Sequence, residues 1–168
     1  PIRAARSSPC SASSRTTGEP TELAAHAVRL GLTEIGFSDH NPMSREGWDD
    51  WRMSQGELDL YVEKVQQARR EHPQLTIKLA LEVDFIPGQE EWIKHLAARH
   101  PWDYLIGSVH YVSGAWALDN PNTTSEWQTR GVFEVWTDYF ERLTLAAESG
   151  LFEIIAHADI CKNFCSYP

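Results

Sequence analysis

The sequence predicts an α/β fold in which parallel strands carry helices on their outer faces, as part of a barrel or an open sheet. Helix-like and strand-like patterns alternate from Glu19 onward, which is the order that βαβ units produce. Each of the four strand-like runs also ends in residues able to bind a metal or move a proton: Asp39 and His40, Glu82 and Asp84, His110, and His157 with Asp159. Active sites of parallel barrels gather at the C-terminal strand ends, where loops and helix N-termini converge. Four strands do not close such a barrel, which normally takes about 200 residues or more, so these 168 residues read as part of one.

In chain order, residues 1–17 are rich in Ser, Thr, Ala and Arg, hold no acidic residue and show no apolar period. They are expected to be disordered or non-native, ahead of a packed domain over 18–168. Pro20 with Thr21-Glu22-Leu23 starts a helix, Leu23, Ala27 and Leu30 keep helical spacing, and Gly31 sits where a left-handed C-cap is wanted. A strand is predicted over 32–37, opening into a polar loop from Ser38 to Pro42. There follow a helix over 55–71, a strand over 76–85, a helix over 89–99 and a strand over 104–109. The last helix, over 133–149, places Phe133, Trp136, Phe140, Leu143 and Ala147 on one face. Gly150 closes it, and a strand over 151–156 runs into His157.

Charge narrows the partners. Fifteen Lys and Arg against 24 Asp and Glu give a net charge of −9, so neither nucleic acid nor an anionic membrane surface is an expected partner. No run approaches the roughly 18 apolar residues that span a bilayer, and no charged-then-apolar signal segment opens the chain. Cys10, Cys161 and Cys165 are too few for a disulfide framework and fit a reducing compartment, so a cytoplasmic protein is expected. Cys161 and Cys165 have the spacing of half a zinc site, without a matching second pair.

The strand over 76–85 is the most informative. Leu79, Leu81, Val83 and Phe85 alternate with Ala80, Glu82 and Asp84, so helices covering the apolar face leave both carboxylates pointing inward. A carboxylate there is costly unless it is paired or bound to a metal. Taken singly, His40 reads as a loop cap and His110 or His157 as a hydrogen-bonded core histidine. Together with Glu82 they make three imidazoles and a carboxylate, a donor set that suits zinc, manganese or iron. His26, His72, His95 and His100 fall on outer helices or helix ends and read as solvated, while Trp residues after His40 and His110 read as core anchors or pocket walls. No nucleophile elbow, P-loop or G-x-G-x-x-G occurs, which favours hydrolysis by metal-activated water. The competing enzyme reading pairs Glu82 with Asp84 as acid and base on a sugar, and it leaves the histidines without a task.

Four ordered segments carry a resemblance: Arg29-Leu30-Gly31-Leu32-Thr33-Glu34-Ile35-Gly36-Phe37-Ser38-Asp39-His40, Leu81-Glu82-Val83-Asp84-Phe85-Ile86-Pro87-Gly88, Asp103-Tyr104-Leu105-Ile106-Gly107-Ser108-Val109-His110-Tyr111 and Ile154-Ile155-Ala156-His157-Ala158-Asp159. They resemble the PHP (polymerase and histidinol phosphatase) superfamily, and within it the histidinol-phosphate phosphatases of histidine biosynthesis. The resemblance implies a distorted (β/α)7 barrel, here partial and without its first and last strands, and a cluster of up to three divalent ions, zinc, manganese or iron. It implies that Glu82 bridges two ions, that His110 and His157 ligate one of these, and that His40 ligates the third. Asp39, Asp84 and Asp159 would orient ligands or carry protons, and Lys162 would meet the phosphate of a small phosphorylated metabolite.

The departures are specific. The family opens on a strand bearing His-x-His and a further His, where this chain has no histidine before His26, and it closes on an Asp-x-His strand beyond Pro168. A shifted reading frame upstream of Gly18 together with truncation would account for both. The expectation is one metal position largely furnished by Glu82, His110 and His157, and impaired activity; the alternative is a non-catalytic metal-binding fragment.

Overall fold

The computed structural model describes residues 4–5, 18–113 and 116–163. They form a mixed α/β protein with parallel strand pairs, in two compact units: Pro1–Glu82 with His100–Tyr104, and Val83–Arg99 with Leu105–Pro168. Among the described residues no helix is long and apolar enough to cross a membrane.

In the first unit, α1 (Pro20–Arg29) starts on Pro20, with the Glu19 N–H donating to Glu22 Oε2 at 3.2 Å. It stops at Gly31, whose φ of +71° lets the Leu32 N–H return to the Ala27 carbonyl at 3.0 Å and satisfy an end-of-helix acceptor. β2 (Glu34–His40) pairs in parallel with β3 (Thr76–Asp84), in register from Glu34 opposite Thr76 to His40 opposite Glu82. β2 therefore runs three residues beyond the expected strand. Ser38, Asp39 and His40 carry polar side chains, but their main chain still finds a ladder opposite 80–82, and all three are buried.

Between these strands, α2 (Leu58–Glu71) follows a 3₁₀ turn at Gln55–Glu57 and buries Leu58, Tyr61, Val65 and Ala68, one helical stripe. Tyr61 ties the layers together: its hydroxyl reaches the Phe37 carbonyl at 2.9 Å and the Ala80 carbonyl at 2.8 Å. Burial, reinforced by the Asp39 charge, pushes this phenol well above its usual pKa, so it remains a donor. A two-residue strand, β1 (Ala4–Ala5), pairs in parallel with Gly36 and Phe37 of β2. No ordered element is expected there from the sequence, but an open strand edge offers main-chain groups to any extended segment, whatever its side chains. The rest of 1–17 lies outside the described residues.

The second unit contains α3 (Glu90–Arg99), burying Ile93 and Leu96, and β4 (Tyr104–Ser108) from Leu105 onward. β4 pairs in parallel with β7 (Ile154–Ile155), Ile106 opposite Ile154. β7 is shorter than the predicted 151–156, yet the Glu153 N–H to Leu105 carbonyl (3.1 Å) and Ala156 N–H to Gly107 carbonyl (2.8 Å) bonds prolong its contact with β4. The segment after His110, unassigned from sequence, folds as an antiparallel hairpin of β5 (Tyr111–Val112) and β6 (Trp116–Ala117), followed by α4 (Ser125–Arg130). Two Trp residues hold it. Trp116 and Trp127 meet edge to face at 5.4 Å, and their indole N–H groups donate to Thr123 Oγ1 and the Leu118 carbonyl.

α5 (Val132–Glu148) buries Val135, Tyr139 and Ala146, whereas Phe133 is 72% and Phe140 42% exposed. The helix carries two apolar stripes centred roughly 100° apart around its axis, and periodicity alone does not rank them. Gly107 sets a packing limit on β4, since a Cβ there would clash with Cγ, Cδ2 and Cε2 of the Phe152 ring. Gly107→Ala is expected to lower the unfolding free energy by about 1–3 kcal/mol through overpacking, read from a urea titration. An unchanged midpoint would mean that the ring swings aside without cost.

Candidate functional site

The first unit brings together Asp39, His40 and Glu82. Asp39 and His40 end β2, and Glu82 is the β3 residue opposite His40, so the register that pairs the strands also sets these side chains level. Glu82 is 2% and His40 4% exposed. His40 Nδ1 stands 3.9 Å from Glu82 Oε1, too long for a hydrogen bond but within the span of two bonds of about 2.0–2.2 Å to one ion. Asp39 Oδ1 accepts from the His40 N–H at 2.8 Å, which holds the strand exit in shape.

The loop leaving β2 adds Asn41 and Arg52, which the sequence did not single out by role, and Trp51, which it read as a core anchor or pocket wall. The Asn41 N–H donates to the Glu82 carbonyl at 2.9 Å. Trp51 meets the His40 imidazole edge-on, with ring centroids 4.6 Å apart and planes at 90°. The Arg52 guanidinium lies over the Trp51 ring at 4.2 Å. The adjacent Trp51-Arg52 pair behind a Pro break was the available signal.

The second unit brings together Asp84, His110 and His157. His110 Nδ1 lies 2.6 Å from Asp84 Oδ1, both side chains being buried. A carboxylate only accepts, so Nδ1 is the donor, and in the neutral ring this leaves the Nε2 lone pair to a ligand. Asp84 is thus paired with an imidazole. The His157 ring lies 4.9 Å from that of His110 at 63°. Tyr139 of α5 anchors the His157 main chain, its hydroxyl donating to the carbonyl at 3.0 Å; burial pushes this phenol far above its usual pKa and keeps it a donor.

Asp159 and Lys162 are placed differently. Both are exposed, and they face each other across a 3₁₀ turn at 3.7 Å. Cys161 is buried, and burial raises its thiol pKa; Cys165 lies outside the described residues. Among the other histidines, His26 and His95 are exposed and His72 and His100 half-buried.

The candidate metal ligands among the described residues are thus His40 and Glu82 in one unit and Asp84, His110 and His157 in the other. Imidazole and carboxylate donors without thiolate suit zinc, manganese or iron. Buried carboxylates such as Glu82 and Asp84 belong with cations or hydrogen-bond donors, so the donor set fits a divalent ion.

Comparison with known proteins agrees with this chemistry. A family model for the PHP domain matches residues 8–166. A protein of Deinococcus radiodurans named a probable histidinol-phosphatase is 41% identical over 151 residues, covering 88% of this chain and 57% of the relative. The crystal structure of histidinol phosphate phosphatase from Lactococcus lactis, complexed with zinc, L-histidinol and phosphate, superposes with a TM-score of 0.68 at 19% identity, over 94% of this chain and 57% of that one. The chain therefore spans a little over half the length of the proteins it matches.

Proposed function

The chain belongs to the PHP domain family, and from that premise we propose that it carries the larger part of a metal-dependent phosphomonoesterase that converts L-histidinol phosphate to L-histidinol and phosphate. The observation that carries the reading is the burial of Asp39, His40, Glu82, Asp84 and His110, each 8% exposed or less, at the C-terminal ends of the strands. Burying so many titratable groups costs stability unless each is hydrogen-bonded, paired or held by a cation, and such clusters mark functional sites. The substrate follows from the 41% identical relative. In this proposal the parallel strands are a share of the distorted (β/α)7 barrel, with 18–168 as one domain.

Glu82, His110 and His157 would hold one divalent ion, Glu82 would also serve a second, and His40 would hold a third. When bound, such ions supply Lewis acidity, lowering the pKa of water from about 15.7 towards 7 and neutralising charge on phosphate oxygens. Asp84 fixes the His110 tautomer so that Nε2 is the donor. Asp39 shapes the exit of β2 and, with Asp159, is assigned to moving protons. Lys162 would exchange its Asp159 partner for a substrate phosphate oxygen, an exchange its exposure permits. A cytoplasmic location belongs to the same proposal and rests on the cysteine usage.

Phosphate release from L-histidinol phosphate tests the reading, using the complete polypeptide that carries this sequence with added zinc or manganese. Release that EDTA abolishes and metal restores is expected. No metal-dependent release from this or any other phosphomonoester would overturn the assignment.

A further inference from the structure

Arg52 is an unusual loop residue. Its side chain is 4% exposed, although it follows a run of exposed residues and carries a permanent charge. Several contacts hold it. Nε donates to Asp49 Oδ2 at 2.7 Å; a terminal nitrogen, Nη1, donates to the Asn41 carbonyl at 3.1 Å and approaches Asn41 Oδ1 at 3.4 Å; and the guanidinium plane lies over the Trp51 indole at 4.2 Å. Asp49 itself is 11% exposed, so the pair sits where water screens it weakly. Two of the groups that Arg52 grips, Asn41 and Trp51, bear on the site. Asn41 is the residue after His40 and is bonded through its N–H to the Glu82 carbonyl, and Trp51 packs edge-on against the His40 imidazole.

We infer that Arg52 is a positioning residue, which clamps the loop leaving β2 and presses the Trp51 ring against His40 so that its imidazole keeps one orientation. It acts through Trp51 and Asn41 and does not itself touch the substrate. The fork geometry is essential to this role: one planar cation bonds a carboxylate with Nε, reaches a main-chain carbonyl with Nη1 and stacks on an aromatic face, three tasks that a lysine ammonium does not combine. The consequence for chemistry rests on the proposed role of His40 as a metal ligand, whereas the clamp itself does not.

The experiment therefore has two readouts. In metal-free protein, the His40 ring proton resonances in an aromatic ¹H–¹³C spectrum, assigned by their loss in His40→Gln, report the Trp51 ring current. Trp51→Leu should remove that shift, Arg52→Ala should move the resonances most of the way to their Trp51→Leu positions, and Arg52→Lys should recover less than half of the wild-type shift. Asp49→Asn, which leaves both Trp51 and Arg52 in place, should give a smaller displacement in the same direction and supplies the answer if Arg52→Ala does not fold. Unchanged His40 resonances in a folded Arg52→Ala or in Asp49→Asn would overturn the clamp. In the second readout, cobalt affinity followed by its visible absorption bands should fall about 10–100-fold in Arg52→Ala, as for groups that orient a ligand. An altered His40 spectrum in a wild-type protein that binds no cobalt would sustain the clamp and overturn the metal reading. Unaltered cobalt affinity beside an altered His40 spectrum would refute only the link between the two.

Discussion

Glu82→Gln is expected to strip the protein of tightly held metal and to lower phosphate release by at least about 10³-fold, beyond the roughly 10²–10³ lost when one electrostatic stabiliser is removed. The substitution keeps the volume and both heavy atoms at the carboxylate position, so packing around a side chain that is 2% exposed is disturbed little. What disappears is the negative charge, and with it the oxygen pair able to serve two cations at once. Elemental analysis after dialysis against zinc, together with phosphate release, reads both effects, and circular dichroism confirms that the variant is folded. Wild-type metal content and turnover in Glu82→Gln would remove the central ligand from the proposal.

Asp84→Asn is expected to weaken metal binding by about 10–100-fold, the range found when the hydrogen-bond partner of a ligating histidine is changed. The amide still offers an oxygen to the His110 Nδ1–H, but it carries no charge to raise imidazole basicity. It can also turn its NH₂ toward Nδ1, which would place the proton on Nε2 and block the donor. Isothermal titration of the metal-depleted variant with zinc gives the ratio. Equal affinity in the two proteins would show that the 2.6 Å contact does not tune His110.

How much of this was legible beforehand depends on how far each signal extends along the chain. The alternation from Leu79 to Asp84 announces a strand with Glu82 and Asp84 on one side, because a period of two is a local property. Gly31 and Gly150, at φ +71° and +66°, mark helix ends for the same reason: only their own main chain is involved. By contrast, the Asp84–His110 bond spans 26 residues and Arg52–Asn41 spans 11, and neither follows from periodicity. In α5 periodicity groups Phe133 and Phe140 on one face but carries no information on burial, and the buried residues are Val135, Tyr139 and Ala146. The hairpin at Tyr111–Ala117 was missed because each of its strands is two residues long, below the length at which alternation becomes visible.

The Tyr61 hydroxyl has a consequence for how this part of the molecule tolerates sequence drift. Its two acceptors belong to the main chain of Phe37 and Ala80, which every residue type possesses. The side chains at 37 and 80 can therefore be exchanged for others of similar bulk without loss of either acceptor. The donor is a single phenol at 61, and phenylalanine would leave both carbonyls to find other partners. Constraint on the placement of His40 and Glu82 is thus concentrated in a helix residue that binds nothing, so variation across this region is expected to spare position 61 more strictly than the strand positions it serves.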